Sequence, residues 1–543
     1  MVGAFRLPSG STTTPPVGPT ATPWVRPADW LAMPTIGAEE VVGLLAITND
    51  DANYIAFRGN FAYTVDWGDG TITNYAANAI ASRQYTFASI PAGTTTSKGY
   101  RQVLIRITPQ AGNYLSYIDF QINHPSLTKS FRVGWLDLDI NLPSVTSLAI
   151  GGTGNVVRLS ICERVIIRAL GSITSLSGLF ANMVALQSVY IEPSETSTVT
   201  NMTQMFENCY SLEEAPLFDT SAVTSSSSVF TLCRSLVVVP LYNQANNTNA
   251  NSFFNGCASL VTIPLINFGK STSFNSMFNA CTSLETIPLL DTSKADNMGA
   301  MFAGCNSLKT IPLINTSLVT NMNTMFNNCD SLETIPLIDT SKVTNFTSMF
   351  NGCLTLKSVP LLNTALGQTF ITMFQNCQTL ESIPLFNTAA GTNFNAMFGT
   401  CLSLKTIPLL NTALNTNFVN MFSTCTALES LPALNTSAGT QFTSMLASCL
   451  ALKAIPAFNV ANGTTFTTMF ANIKSIAKSD MTGARFAHTY TDNALSQAAI
   501  VNIFNNLGIA SGAQAITVSS NPGRAALTAG EIAIATGKGW TVI

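Results

Sequence analysis

Between residues 199 and 473, apolar and polar positions recur on a 24-residue beat. One copy reads T-N-F-T-S-M-F-N-G-C-L-T-L-K-S-V-P-L-L-N-T from Thr344 to Thr364, and eleven of the twelve cysteines, Cys209 to Cys449, fall at the same place in successive copies. A fixed period of this length marks a solenoid: one unit cannot bury its apolar face alone, and stacking makes the core continuous. Phe346, Met349, Phe350 and Cys353 fall at i, i+3, i+4 and i+7, which predicts a two-turn helix capped by Thr344 or Asn345. Leu284, Ile287, Leu289 and Thr292 keep the spacing L-x-x-L-x-L-x-x-N, with Thr in the Asn place, and predict a short parallel strand. The expected coil is strand, turn, helix, turn, rising by about 4.8 Å.

Three positions of the unit say more than "core". The cysteines come one per coil, unlike the C-x-x-C or Cys-with-His spacing of a metal site, and the chain has only His124 and His488. They are expected to be reduced, inaccessible thiols, since stacked coils hold their Cβ atoms nearer ~4.8 Å than the ~3.8 Å of a disulfide. The residue after the repeat leucine alternates in sign over eight coils: Glu285, Lys309, Glu333, Lys357, Glu381, Lys405, Glu429, Lys453. Alternation makes every step attractive, so this file reads as a register device, with a charged-ligand site as the other reading. The third file is the candidate contact surface. If Ile287 and Leu289 point inward, Leu290 points outward with its equivalents Phe218, Tyr242, Ile266, Ile314, Ile338, Leu362, Phe386, Leu410, Leu434 and Phe458. Such a stripe marks a protein contact; the competing reading is that Pro288 ends the strand and a bulge swings these side chains into the core.

Residues 321–341, N-M-N-T-M-F-N-N-C-D-S-L-E-T-I-P-L-I-D-T-S, resemble the BspA-like leucine-rich repeats of bacterial surface and phage-associated proteins. The resemblance covers about half the chain and implies an adhesion or interaction role, without specifying a ligand. The expected fold class is a mixed α/β repeat solenoid, leucine-rich-repeat-like with 24-residue coils, behind an N-terminal immunoglobulin-like β-sandwich.

Residues 1–35 carry seven prolines among Thr, Ser and Gly and read as an extended anchoring arm, ordered only in an assembly. Trp24 and Trp30 are its candidate anchors, docking on this chain's own next domain or on a partner subunit. Residues 36–112 alternate short β-rich runs with turns. Within them Tyr63 to Thr71 resembles the W-G-D-G-T signature of PKD-type domains, with Arg83 to Phe87 where such domains carry H-x-Y; Trp67 is then core, and Gly68, Asp69 and Gly70 form a hairpin turn with one carboxylate, too few for calcium. Residues 113–198 are irregular opening coils, 199–478 the regular repeats, and 479–543 an αβαβ cap, with helices at 495–507 and 528–536 and strands at 515–518 and 540–543. The ending E-I-A-I-A-T-G-K-G-W-T-V-I resembles tails of phage structural proteins.

Composition narrows the function. At 46% hydrophobic, 10% charged and a formal net charge of −3, the chain has core material to spare and no basic field for nucleic acid or an anionic membrane. No apolar run approaches the ~20 residues of a membrane span, and M-V-G-A-F-R-L-P-S-G lacks the apolar stretch of a secretory leader. Glycan hydrolysis needs a placed pair of carboxylates, yet from Ser341 to Ser479 the only acids are Glu381 and Glu429, two coils apart. A cryptic acid pair among Asp66, Asp69, Asp137 and Asp139 is the remaining alternative. The expectation is a non-enzymatic protein without cofactor or metal. By resemblance it is a bacteriophage virion protein, a tail fibre or surface protein for host attachment or contacts within the particle. Its expected partners are other virion proteins through the arm, a host surface protein or glycan, and copies of itself in a homo-oligomer. The alternatives are a BspA-like bacterial cell-surface adhesin and a glycan-degrading tailspike.

Overall fold

The computed structural model describes residues 21–50, 52–127, 133–152 and 159–543. The repeats stack as a β-solenoid of about 15 turns, and the helix expected in each unit is not there. Phe346, Met349, Phe350 and Cys353 are buried as the stripe requires, but their backbone is a run of turns. The N–H groups of Phe346, Ser348, Phe350 and Gly352 leave the coil and donate to Thr369, Ile371, Met373 and Gln375 of the next one, at 2.8–3.0 Å. The alternate ones, of Met349, Asn351 and Cys353, close back three residues at 3.1–3.3 Å. To do this Ser348 and Gly352 take φ of 53° and 77°, and the same two places do so in the following coils, as at Thr372 and Asn376.

The reason is the rise. A helix ~10 Å across repeats at the ~4.8 Å strand spacing only if the stack bends away from it. Here Phe326, Phe350 and Phe374 stack at 5.6 Å with rings 3° and 6° from parallel, so the turn side climbs at close to the strand spacing. The strand expected over Leu284 to Thr292 is likewise replaced by irregular chain, in coils joined to their neighbours by single bridges. A left-handed non-glycine residue costs ~1–2 kcal/mol, which the hydrogen bonds between coils offset. The mixed α/β expectation is therefore corrected for the repeats: the i, i+3, i+4, i+7 spacing identified the buried face and misidentified the backbone that presents it.

The N-terminal residues form two sheets from β1 (Glu40–Ile47), β2 (Asn53–Gly59), β3 (Tyr63–Asp66), β4 (Ile72–Tyr75), β5 (Ile80–Tyr85), β6 (Arg101–Pro109), β7 (Tyr117–Asp119), β8 (Trp135–Asn141), β9 (Ser147–Ala149), β10 (Arg164–Ala169) and β11 (Ser188–Ile191). The larger sheet runs β11-β10-β8-β1-β6-β3-β4 and the smaller β5-β2-β7-β9. Pairing is antiparallel up to β8 and β7, then parallel at β8 with β10 and β7 with β9. Residues 36–112 and 113–198 thus share both sheets and one core, and the sandwich closes the first open end of the stack. Trp67 is buried in that core, and the β3–β4 hairpin turns through Gly68 and Gly70 at φ 72° and 86°. A Cβ on Gly68 would sit 2.2 Å from the Leu104 carbonyl oxygen, so only glycine fits.

At the other end, β12 (Ala454–Ile455) pairs in parallel with β13 (Lys478–Ser479). Then β14 (His488–Thr489), α1 (Gln497–Asn506), β15 (Gln514–Thr517), α2 (Ala529–Thr536) and β16 (Trp540–Val542) make a three-stranded parallel sheet backed by two helices. Ser496 caps α1, and Thr528 with Glu531 forms a capping box on α2. With only two helices to place, no long stack has to bend around their width.

Candidate contact surface

The apolar file named as a contact surface lies in the core. Phe218, Tyr242, Ile266, Leu290, Ile314, Ile338, Leu362, Phe386, Leu410, Leu434 and Phe458 are at most 5% exposed. The cause is the proline two positions before each of them. Pro336 has no N–H to give to a ladder, and its carbonyl accepts from Ile338 N–H at 2.9 Å, a three-residue turn with Leu337 at its apex. The same bond closes Pro264 to Ile266, Pro312 to Ile314 and Pro360 to Leu362. The turn slips the in-out alternation by one residue, so Ile335 and Ile338 both face inward and Leu337 faces solvent.

The exposed stripe is accordingly the neighbouring file, Leu217, Leu241, Leu265 and every twenty-fourth residue to Leu409, nine leucines each 58–67% exposed. At the strand rise it runs for roughly 40 Å, flanked by the half-buried prolines on one side and by turn-capping Asp or Asn residues on the other, such as Asp339, whose carboxylate accepts from Ser341 N–H at 2.9 Å. That hydrogen bond holds the Asp339 carboxyl below the usual carboxylate range. The signal for this file was in the sequence. Its nine positions are all Leu, while the buried position beside it varies among Phe, Tyr, Ile and Leu.

The charge file runs beside it. Its eight residues are exposed, and neighbours meet along the backbone, as where Glu333 N–H donates to Lys309 C=O at 3.0 Å. Among the described residues, no two of these side chains pair within 4.0 Å. The repeat thiols are buried, and each donates to the phenylalanine carbonyl of the previous coil, Cys353 to Phe326 at 3.1 Å. Burial pushes the Cys353 thiol well above its usual range. No group of His, Cys, Asp and Glu among the described residues is arranged to hold a metal ion.

The arm docks in cis. Residues 1–20 of the expected anchor lie outside the described ones, but Trp30 is buried on β1 and β8 against Leu44 and Leu136, its Nε1 donating to the Tyr100 hydroxyl at 2.9 Å. Trp24 is half-buried under Arg164. Arg26 reaches the fully buried Asp137 at 2.9 Å, which Arg164 also grips at 2.6 Å. Trp30 therefore docks on this chain's own next domain, the first of the two sites expected for it. Thr22 N–H donates to Glu213 at 3.1 Å, so residues 22–24 line an open groove with Tyr190 and Leu217. The four aspartates named as a possible acid pair are each engaged: Arg26 and Arg164 hold Asp137, Arg83 holds Asp69, Arg168 holds Asp139 at 2.7 Å, and Asp66 accepts from Gly68 N–H in the hairpin.

Residues 169–267, 272–381 and 368–483 match the family described as Mycoplasma protein of unknown function, DUF285. The chain belongs to that family. Its repeats are of the BspA-like kind. A search of curated proteins returns no match. Among solved structures, a leucine-rich repeat protein from Eubacterium ventriosum is 16% identical, covering 67% of this chain and 94% of its own, with a TM-score of 0.32. The plant peptide hormone receptor RGFR1 in complex with RGF2 is 11% identical over 72% of this chain and 69% of its own, with a TM-score of 0.20. The Drosophila Toll–Spatzle complex gives 13%, 76%, 66% and 0.23. No helix among the described residues is long and apolar enough to cross a membrane.

Proposed function

We propose that this DUF285 protein is a non-enzymatic contact scaffold whose working surface is the exposed leucine file, carried on a bacteriophage particle as a tail fibre or surface protein. The observation that carries the contact role is the repetition of leucine at an exposed place where any polar residue would preserve the fold. The assignment to a particle rests on resemblance: the PKD-like W-G-D-G-T turn and the phage-like C-terminal ending. A BspA-like adhesin on a bacterial surface is the second reading, favoured by the family's repeats. Mass spectrometry of purified virions separates the two: the protein is expected among the particle's components, and its recovery from the cell surface alone overturns the phage reading. The rival from another class, a glycan-degrading tailspike, is met by incubating the protein with host polysaccharide. Chain length is expected to stay constant, and reproducible shortening would overturn the non-enzymatic role.

A further inference from the structure

Resting on that reading of the leucine file, we infer that its partner is a second copy of this chain, packed face to face with the solenoid axes antiparallel. Three features of the surface favour a self-complementary partner.

The first is area. Nine leucines at about 60% exposure present on the order of 900 Å² of apolar surface, about what each partner of a standard interface buries. The near-parallel phenylalanine rings, 3–12° apart along Phe254 to Phe422, show how little each coil turns against the next, so the file is straight enough to meet its copy along its length.

The second is charge. A two-fold axis lying in the interface, across the solenoids, sets leucine file on leucine file and charge file on charge file. Because the charges alternate coil by coil, a shift of one coil reverses every pair, so only alternate registers are compatible. One of these keeps eight leucine rows opposed. It sets Leu313 against Leu337 of the second copy, Lys309 against Glu333 and Glu285 against Lys357, two opposite pairs against one like pair, Glu429 with Glu213, whose carboxylate already accepts from Thr22 N–H.

The third is shape. In that register the coil bearing Leu217, where Thr22 to Trp24 lie across the surface, meets Ala433. The leucine file stops at Leu409 and continues as the exposed alanines Ala433 and Ala457, which leaves room for the arm of the other copy.

The test is sedimentation equilibrium of the full chain. The native protein is expected to be a dimer at micromolar concentration. Leu313→Asp with Leu337→Asp, both at exposed positions, should keep its circular dichroism and lose at least ~100-fold in association. Lys309→Glu sets like charges opposite each other twice per dimer and should weaken association roughly tenfold. Adding Glu333→Lys to it restores opposite charges across the interface and should restore the dimer, even though charges within each copy then clash. A native monomer, a folded aspartate variant that still dimerises, or a double charge swap that stays weak overturns the inference. Loss of the dimer leaves the contact role itself standing if native protein still binds host cells and the aspartate variant does not.

Discussion

In the regular coils the buried threonine of one unit is answered by the backbone of the next; in the N-terminal block the buried aspartates find partners that occur once. Thr316, Thr340 and Thr364 are buried, and their hydroxyls donate to the carbonyls of Asp339, Asn363 and Asn387, each at 2.8 Å. Asp137 and Asp139, by contrast, each take a particular arginine or two, and the arm is held by that same cluster. The coils spread their stability over equivalent rungs, as a nearest-neighbour stack does. The block concentrates it in a few contacts.

The largest expected effect breaks a rung. Phe350 is fully buried and stacks between Phe326 and Phe374, so Phe350→Ala should cost about 3–5 kcal/mol in denaturant unfolding. Because the flanking coils depend only on neighbours, Phe302→Ala should cost a similar amount. Unequal losses would mean the coils are not equivalent. Close behind is Asp137→Asn, which leaves Arg26 and Arg164 without their buried counter-charge and should cost about 3 kcal/mol. It should also expose residues 21–35 to protease while 199–478 stay protected; protease resistance of the arm would show that Trp30 alone holds it.

The C-terminal cap gives a pH test of the same contrast. His488 is buried among Phe466, Tyr490 and Trp540, its Nδ1 at 3.0 Å from the Phe486 carbonyl and its Nε2 without a partner. Burial lowers its pKa from 6.5 to about 4. The unfolded cap therefore binds the proton first. Stability is complete above pH ~6.5 and falls as pH drops towards ~4, by about 3 kcal/mol in all. Protection factors across 479–543, taken against the intrinsic exchange rate at each pH, should fall over that window in the native chain and not in His488→Phe.

How much of this was legible follows from what each pattern encodes. The period, the buried faces and the file of thiols could be read directly because burial depends on spacing, and spacing is sequence. The helix was misread because i, i+3, i+4, i+7 is also the spacing of successive three-residue turns, and only the rise per coil decides between them. Ser348 and Thr372, non-glycine residues in left-handed geometry, give no warning in the sequence. The contact file was displaced by one residue for a smaller reason: Pro288 reads as a possible strand end in the sequence, but the turn that its counterpart Pro336 closes onto Ile338, and hence which neighbour faces out, is a property of the backbone. Trp30 was seen as an anchor, and its site on β1 and β8 could not be, because that surface is assembled from residues ~100 apart.

The smallest effect sharpens what the charge file does within one chain. Lys405 is the place to ask, since in the proposed register it faces Val237 of the second copy and so reports only on its own stack. Its neighbours are Glu381 and Glu429, and the backbone carries the contact, with Glu429 N–H on Lys405 C=O at 2.9 Å. Lys405→Glu turns two attractive steps repulsive. At ~0.2–1 kcal/mol per exposed step, the loss should be on the order of 1 kcal/mol and should shrink as salt screens it. Adding Glu381→Lys, which faces Val261 of the second copy, restores the step between 381 and 405 but sets lysine against Lys357, so two steps remain repulsive and the loss should not change. If the double variant recovers, or if salt leaves the single loss untouched, the alternating charges do not act along the stack, and their pattern serves the interface alone.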